Sequence, residues 1–174
     1  MLTSTILGLG QVGSRFDEGP RKAVWSHAGA YLEKASMVEL KAGADLSEGN
    51  REKFKARCPQ VKVFKDGVAM VADVKPTIVS VCTPPDGRAA LVGSILKAHT
   101  PKVLICEKPM EVTLECRMAI VNMCARNDVT LLVNYNRRYA QVYRKVKDLL
   151  VSGEIGPIRA ITVQASNRLW SVGT

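Results

Sequence analysis

Clustered metal ligands are scarce in this 174-residue sequence: it has two histidines, and its five cysteines, at positions 58, 82, 106, 116 and 124, contain no C-x-x-C pair. That scarcity argues against a structural zinc site, which needs four closely spaced ligands, and no metal is expected. An odd set of unpaired cysteines fits a reducing compartment. Cys82 and Cys106 lie in apolar, strand-like runs and read as small buried hydrophobes. Long hydrophobic runs are also missing. "TIVSVC" and "KVLIC" fall far short of the roughly 20 residues of a membrane span, and "MLTSTILGLG" lacks the basic start of a signal peptide. No region is low in complexity, so the chain is expected to be soluble and cytoplasmic, without a membrane partner.

Apolar residues make up 47% of the chain, enough for one domain with a proper core. The net charge of +9, from 25 basic and 16 acidic residues, suits nucleic acid, a phosphate-bearing ligand or an acidic partner. The basic residues are densest in "NRRYAQVYRKVKDLL", where Tyr139, Val142, Val146, Leu149 and Leu150 share one helical face. Arg138, Arg144, Lys145 and Lys147 are left largely on the other. This is the pattern of a solvated helix. No nucleic-acid motif accompanies it, and no nucleic-acid partner is expected.

Short Val- and Ile-rich runs alternate with longer helical patterns, the signature of successive β-α-β units and hence of a doubly wound parallel sheet. Strands are predicted near residues 3–8, 37–44, 61–64, 77–82, 102–106 and 130–134. Three crossover helices carry start or stop signals. One is capped by Ser47, one begins at Asp86 and is stopped by Pro101, and one is capped by Thr113 and terminated by Asn127. In the third, Leu114, Met118 and Val121 are predicted as the inward stripe. Gly153, Gly156 and Pro157 then break the basic helix, and "IRAITVQA" alternates like a further strand.

"ILGLGQVG" places Gly8, Gly10 and Gly13 in a G-x-G-x-x-G pattern directly after the first strand, with Gln11 and Val12 in the turn. There the glycines permit a tight turn, close approach of a pyrophosphate, and packing of helix on strand. The accompanying acid, which would bind the adenosine ribose, is Asp45, 32 residues beyond Gly13, where roughly 20 are usual. The excess falls in "SRFDEGPRKAVWSHAG", read as a loop interrupting the first helix, with Trp25 and His27 as its anchors rather than reacting groups. A carboxylate at Asp45 favours NAD; Ser47 and Arg51 follow closely and leave NADP as the alternative.

"VLICEKPM" ends an apolar run in Glu107, Lys108 and Pro109, either a solvated strand end or a pedestal for chemistry. With the glycine loop, "SVCTPPD", "ICEKPM" and "VNYNRRY" in this order and spacing, the chain resembles the nucleotide-binding domain of the Gfo/Idh/MocA oxidoreductases. The resemblance runs over nearly the whole chain, and E-K-P is its most specific part. It implies a Rossmann fold in which Thr83, Pro84 and, loosely, Pro85 line the cofactor. Lys108 would be the proton-transfer residue beside the nicotinamide, Glu107 would contact the cofactor side, and Pro109 would follow a cis bond. Asn134 and Asn136 would stand near the site. Arg88 is a departure, standing where many members have histidine.

The resemblance also implies an NAD(P)-dependent dehydrogenase acting on a sugar or polyol, and assembly into a homo-oligomer. Family enzymes carry a second α/β domain whose G-x-H-x-x-D-like motif supplies a catalytic histidine, and "LWSVGT" reaches the corresponding glycine, Gly173, one residue before the end. Residues 1–152 are therefore expected to form the NAD(P)-binding domain and 153–174 the start of a truncated second domain, leaving the chain weak or inactive alone. The competing expectation is a stand-alone nucleotide-sensing or interaction module that pairs through residues 158–165.

Overall fold

The predicted strand segments form β1 (Leu2–Leu7), β2 (Val38–Ala44), β3 (Lys62–Phe64), β4 (Ile78–Val81), β5 (Val103–Cys106) and β6 (Thr130–Val133). In this computed structural model, which describes residues 1–18 and 24–164, they make one parallel sheet in the order β3-β2-β1-β4-β5-β6. The order reverses between β1 and β4, so the carboxyl ends of those strands diverge and open a crevice.

Between the strands lie α1 (His27–Glu33), α2 (Glu48–Arg57), α3 (Gly67–Val74), α4 (Arg88–Ala98) and α5 (Leu114–Arg126). Period-two alternation sorts the strand residues between two cores. Leu7, Val79, Val81, Leu104 and Cys106 face α3, α4 and α5, whereas Ile6, Leu40 and Ile78 pack with Ala28, Tyr31 and Phe54 of α1 and α2. The Cys106 side chain is fully buried, as expected, whereas Cys82 is only partly buried and lines the crevice.

Ser47 and Thr113 cap their helices as predicted, accepting from the backbone N–H groups of Asn50 and Cys116, and Asn127 ends α5. Two expectations are corrected. The α4 cap position is Gly87 rather than Asp86, and it brings no side chain. On α5 the buried residues are Ile120 and Cys124, while Leu114, Met118 and Val121 are exposed. That helix carries two apolar stripes, and docking on the sheet selects the one that the spacing pattern did not favour.

The chain divides into two compact units, Met1–Asn134 and Tyr135–Thr174. This boundary falls before the basic helix, earlier than the one expected after residue 152. In the second unit a 3-10 turn, Asn136–Tyr139, precedes α6 (Gln141–Val151), so Asn136, Arg138 and Tyr139 come before the helix rather than within it. Residues 158–164, the described part of "IRAITVQA", form no strand. A strand needs a neighbour to bond, and among the described residues this segment has none. Residue 165 onward, including Gly173, lies outside the described residues, as do Gly19 and Pro20 of the interrupting loop. No helix among the described residues is long and apolar enough to cross a membrane.

Candidate functional site

At the crevice, a cleft of about 940 Å³ runs from the glycine loop to the end of β5. Gly8 leaves β1 with φ 87°, and Gln11–Arg15 follow as a single helical turn of π type. A Cβ on Gly8 would lie 2.8 Å from the Cys82 carbonyl, and one on Gly13 would lie 1.9 Å from the Gly8 carbonyl oxygen. A Cβ on Gly10 would meet nothing within 4 Å. Packing within the protein therefore requires the first and third glycines, while the second faces open space.

Of the residues singled out in the sequence, Gly8, Gly10, Gln11, Val12, Asp45, Thr83, Pro84, Glu107 and Lys108 all line the cleft. Gly13 and Asn134 do not line it: Gly13 packs on Gly8, and the Asn134 amide donates to Glu107 Oε1 at 2.5 Å. The Asp45 carboxylate accepts from Leu9 N (2.7 Å), Ser47 N (2.8 Å) and Asn50 Nδ2 (3.1 Å). About four lone-pair sites are available on a carboxylate, so roughly one is left for a hydroxyl in the cleft. Arg51 donates through Nη1 to the carbonyls of Asp45 and Leu46, both at 2.9 Å, and the Ser47 hydroxyl serves as the helix cap.

The Lys108 end depends on residues that the motifs did not assign. The Lys108–Pro109 bond is cis, and Lys108 N–H donates to Glu107 Oε2 at 3.2 Å. Arg88 is 2% exposed, and its guanidinium donates to the carbonyls of Thr83, Glu107, Pro109 and Met110. A cation on the first residue of a helix opposes the helix dipole; here the charge is carried away from the helix to fasten the E-K-P loop onto the β4 loop. Glu111 completes the junction, accepting from Ala89 N–H at 2.9 Å and Val112 N–H at 2.8 Å, and so provides the cap that Gly87 lacks. Those two bonds hold its carboxyl below the ordinary carboxylate pKa.

Glu107 is itself buried. Burial alone would raise its pKa, but hydrogen bonds from His27 and Asn134 outweigh that and hold it below the ordinary value. His27 Nε2 lies 3.0 Å from Glu107 Oε1, and Nδ1 lies 3.0 Å from Ser80 Oγ, which in turn is 2.7 Å from Tyr31 Oη. Burial pushes the Tyr31 hydroxyl up to about 12. Two sequence signals for this cluster existed: a histidine and a tyrosine four residues apart on one helix, and a serine between the valines of β4.

The interrupting loop is closed at its base by Asp17. Its carboxylate accepts from Trp25 N, Ser26 N, Ser26 Oγ and, at 2.8 Å, Arg57 Nη2. Burial would raise the Asp17 pKa, but the Arg57 and Ser26 bonds lead in holding it low. Trp25 contributes its backbone to this anchor while its ring is exposed; His27 anchors through its ring. Among the described residues no three His, Cys, Asp or Glu side chains gather as metal ligands.

A model of the oxidoreductase family with the NAD-binding Rossmann fold, GFO_IDH_MocA, matches residues 5–135. Myo-inositol 2-dehydrogenase of Thermotoga maritima is 25% identical over 154 residues, 87% of this chain and 41% of that enzyme. D-glucoside 3-dehydrogenase of Escherichia coli is 25% identical over 177 residues, 99% of this chain and 47% of that enzyme. The chain thus spans less than half the length of these curated relatives. In fold it is similar to the WlbA dehydrogenase of Bordetella pertussis, solved in complex with NADH and UDP-GlcNAcA, with a TM-score of 0.76 and 20% identity over 89% of this chain and 43% of that one.

Proposed function

Because this chain belongs to the Gfo/Idh/MocA oxidoreductase family, we propose that it is the nucleotide-binding part of a dehydrogenase moving hydride between a nicotinamide and a sugar or polyol hydroxyl or carbonyl carbon. The observation that carries the reading is the cleft, which gathers the glycine loop, Asp45 and Lys108 from three distant parts of the sequence. The residues fit a dinucleotide: the space in front of Gly10 suits a pyrophosphate approaching the backbone, and Asp45 keeps an acceptor for a ribose hydroxyl. When bound, the nicotinamide supplies the hydride acceptor or donor.

The chain's own part is to hold and to move a proton. Lys108 Nζ takes the substrate hydroxyl proton in the oxidative direction and returns it in the reductive one. Thr83 and Pro84 line the cleft, with the Thr83 backbone packed directly beside Gly8. NAD is favoured over NADP, because a 2'-phosphate would meet the Asp45 carboxylate while Arg51 is already engaged by the carbonyls of its own turn. The sugar or polyol class rests on the inositol and glucoside dehydrogenases among the relatives.

Titrating the protein with NADH and NADPH by nucleotide fluorescence tests this reading. The expected result is saturable NADH binding with a Kd below about 1 mM, NADPH at least about tenfold weaker, and a Lys108→Ala variant that still binds NADH. Silence with both nucleotides at millimolar concentration overturns it; equal affinities overturn the NAD preference alone.

A further inference from the structure

We propose that His27 is a positioning residue for the Lys108 end of the cleft, acting through the carboxylate of Glu107. The inference rests on the dinucleotide reading above for what the cleft holds, and on geometry alone for what His27 does. Alternation along the strands puts Ser80 of β4, Glu107 just beyond β5 and Asn134 just beyond β6 on the same face of the sheet, the face that α1 covers. Ile78 and Ile105 lie beside them on that face. Each of the three is thus a polar group placed where only a specific partner stabilises it.

His27, the first residue of α1, is that partner. The ionised Glu107 carboxylate can only accept, so Nε2 carries the hydrogen and donates to Oε1. With the ring carrying that one hydrogen, Nδ1 accepts from the Ser80 hydroxyl, and Ser80 Oγ accepts from Tyr31 Oη–H. Every donor in the row meets an acceptor. Asn134 Nδ2, 3.4 Å from His27 Nε2, is a second donor aimed at the same Glu107 oxygen. The other oxygen, Oε2, receives the Lys108 N–H. A carboxylate held on one oxygen by two side chains presents its second oxygen to the Lys108 backbone in one orientation. His27 reaches this position because Asp17 gathers Trp25 N, Ser26 and Arg57 immediately before α1.

Glutamine places an N–H₂ at the reach of Nε2, asparagine at that of Nδ1, so His27→Gln keeps the bond to Glu107 and His27→Asn loses it. Without nucleotide, ¹⁵N NMR should show His27 with its hydrogen on Nε2. The Lys108 amide resonance should move in H27N and stay near its original place in H27Q. With nucleotide, H27N should weaken NADH about tenfold, H27Q by no more than about twofold, and neither should change affinity for ADP-ribose, which lacks the nicotinamide. Should H27N fail to fold, Ser80→Ala, which removes the hydroxyl fixing Nδ1, is read in its place and should move the Lys108 amide. An Nδ1–H ring, an unmoved Lys108 amide, or an ADP-ribose affinity that falls in step with NADH overturns the role of His27. The expected NMR shifts in a protein silent to NADH and ADP-ribose would support that role and overturn the dinucleotide reading instead.

Discussion

The two ends of the cleft are built by opposite means. At the glycine loop the geometry comes from missing side chains: Gly8 and Gly13 close on Cys82 and on each other, and Gly10 leaves its front open. At the Lys108 end it comes from buried polar side chains, with Arg88 fastening four carbonyls and His27 and Asn134 holding Glu107. At one end the motif itself spans six consecutive residues; the other draws on α1, β4, α4 and the segments just beyond β5 and β6. A local motif suffices where backbone does the work, whereas an exposed lysine on a loop needs a scaffold that only the folded sheet can bring together.

The largest effect should come from Arg88. Replacing it with Met leaves several buried carbonyls without donors and should cost about 4 kcal/mol in urea unfolding, near the top of the range for single substitutions. Gly13→Ala should cost about 3 kcal/mol, since its Cβ has backbone rather than a movable side chain in its way. Gly10→Ala should change stability by less than about 0.5 kcal/mol while weakening NADH about tenfold. If Arg88→Met proves milder than Gly13→Ala, the Lys108 end is not held by its buried polar groups and the contrast collapses. A large loss of stability in Gly10→Ala would break it from the other side.

Acid should also act on the buried polar groups. Asp17, Glu107 and Glu111 all have lowered pKa values in the fold. The stability each contributes is present above its ordinary unfolded pKa and disappears as pH falls through the lowered folded value. Unfolding free energy should therefore decline from about pH 4 downward. Asp17→Asn should flatten part of that decline and cost about 2 kcal/mol at neutral pH, with chemical denaturation at several pH values as the measurement. A decline as steep in Asp17→Asn as in the parent would sharpen the contrast by assigning the acid sensitivity to the Glu107 end.

All six strands of the sheet were legible in the sequence, because each is a short segment rich in apolar and β-branched residues set between longer helical patterns. The glycine loop was legible for the same reason, being local. The α5 stripe was not: Leu114, Met118 and Val121 have the right spacing, but so do Ile120 and Cys124, and only the sheet decides between them. Lys108 could be singled out from its own segment, while its supports could not. Glu107 meets His27 across 80 residues of sequence, and Arg88 meets the carbonyls of Pro109 and Met110 across 21 and 22. Spacing patterns reach a few turns of helix, and these contacts are set by strand order.

Glu111 carries a consequence for the order in which the chain folds. The first turn of α4 has no cap of its own, since Gly87 supplies no side chain, and its Ala89 N–H is satisfied by a carboxylate 22 residues further along the chain. A nascent α4 therefore frays at its start until β5 has docked and the loop of that length has closed, a step whose entropic cost precedes its reward. Glu111→Gln should accordingly speed unfolding more than it slows refolding, the kinetic mark of an interaction completed after the transition state.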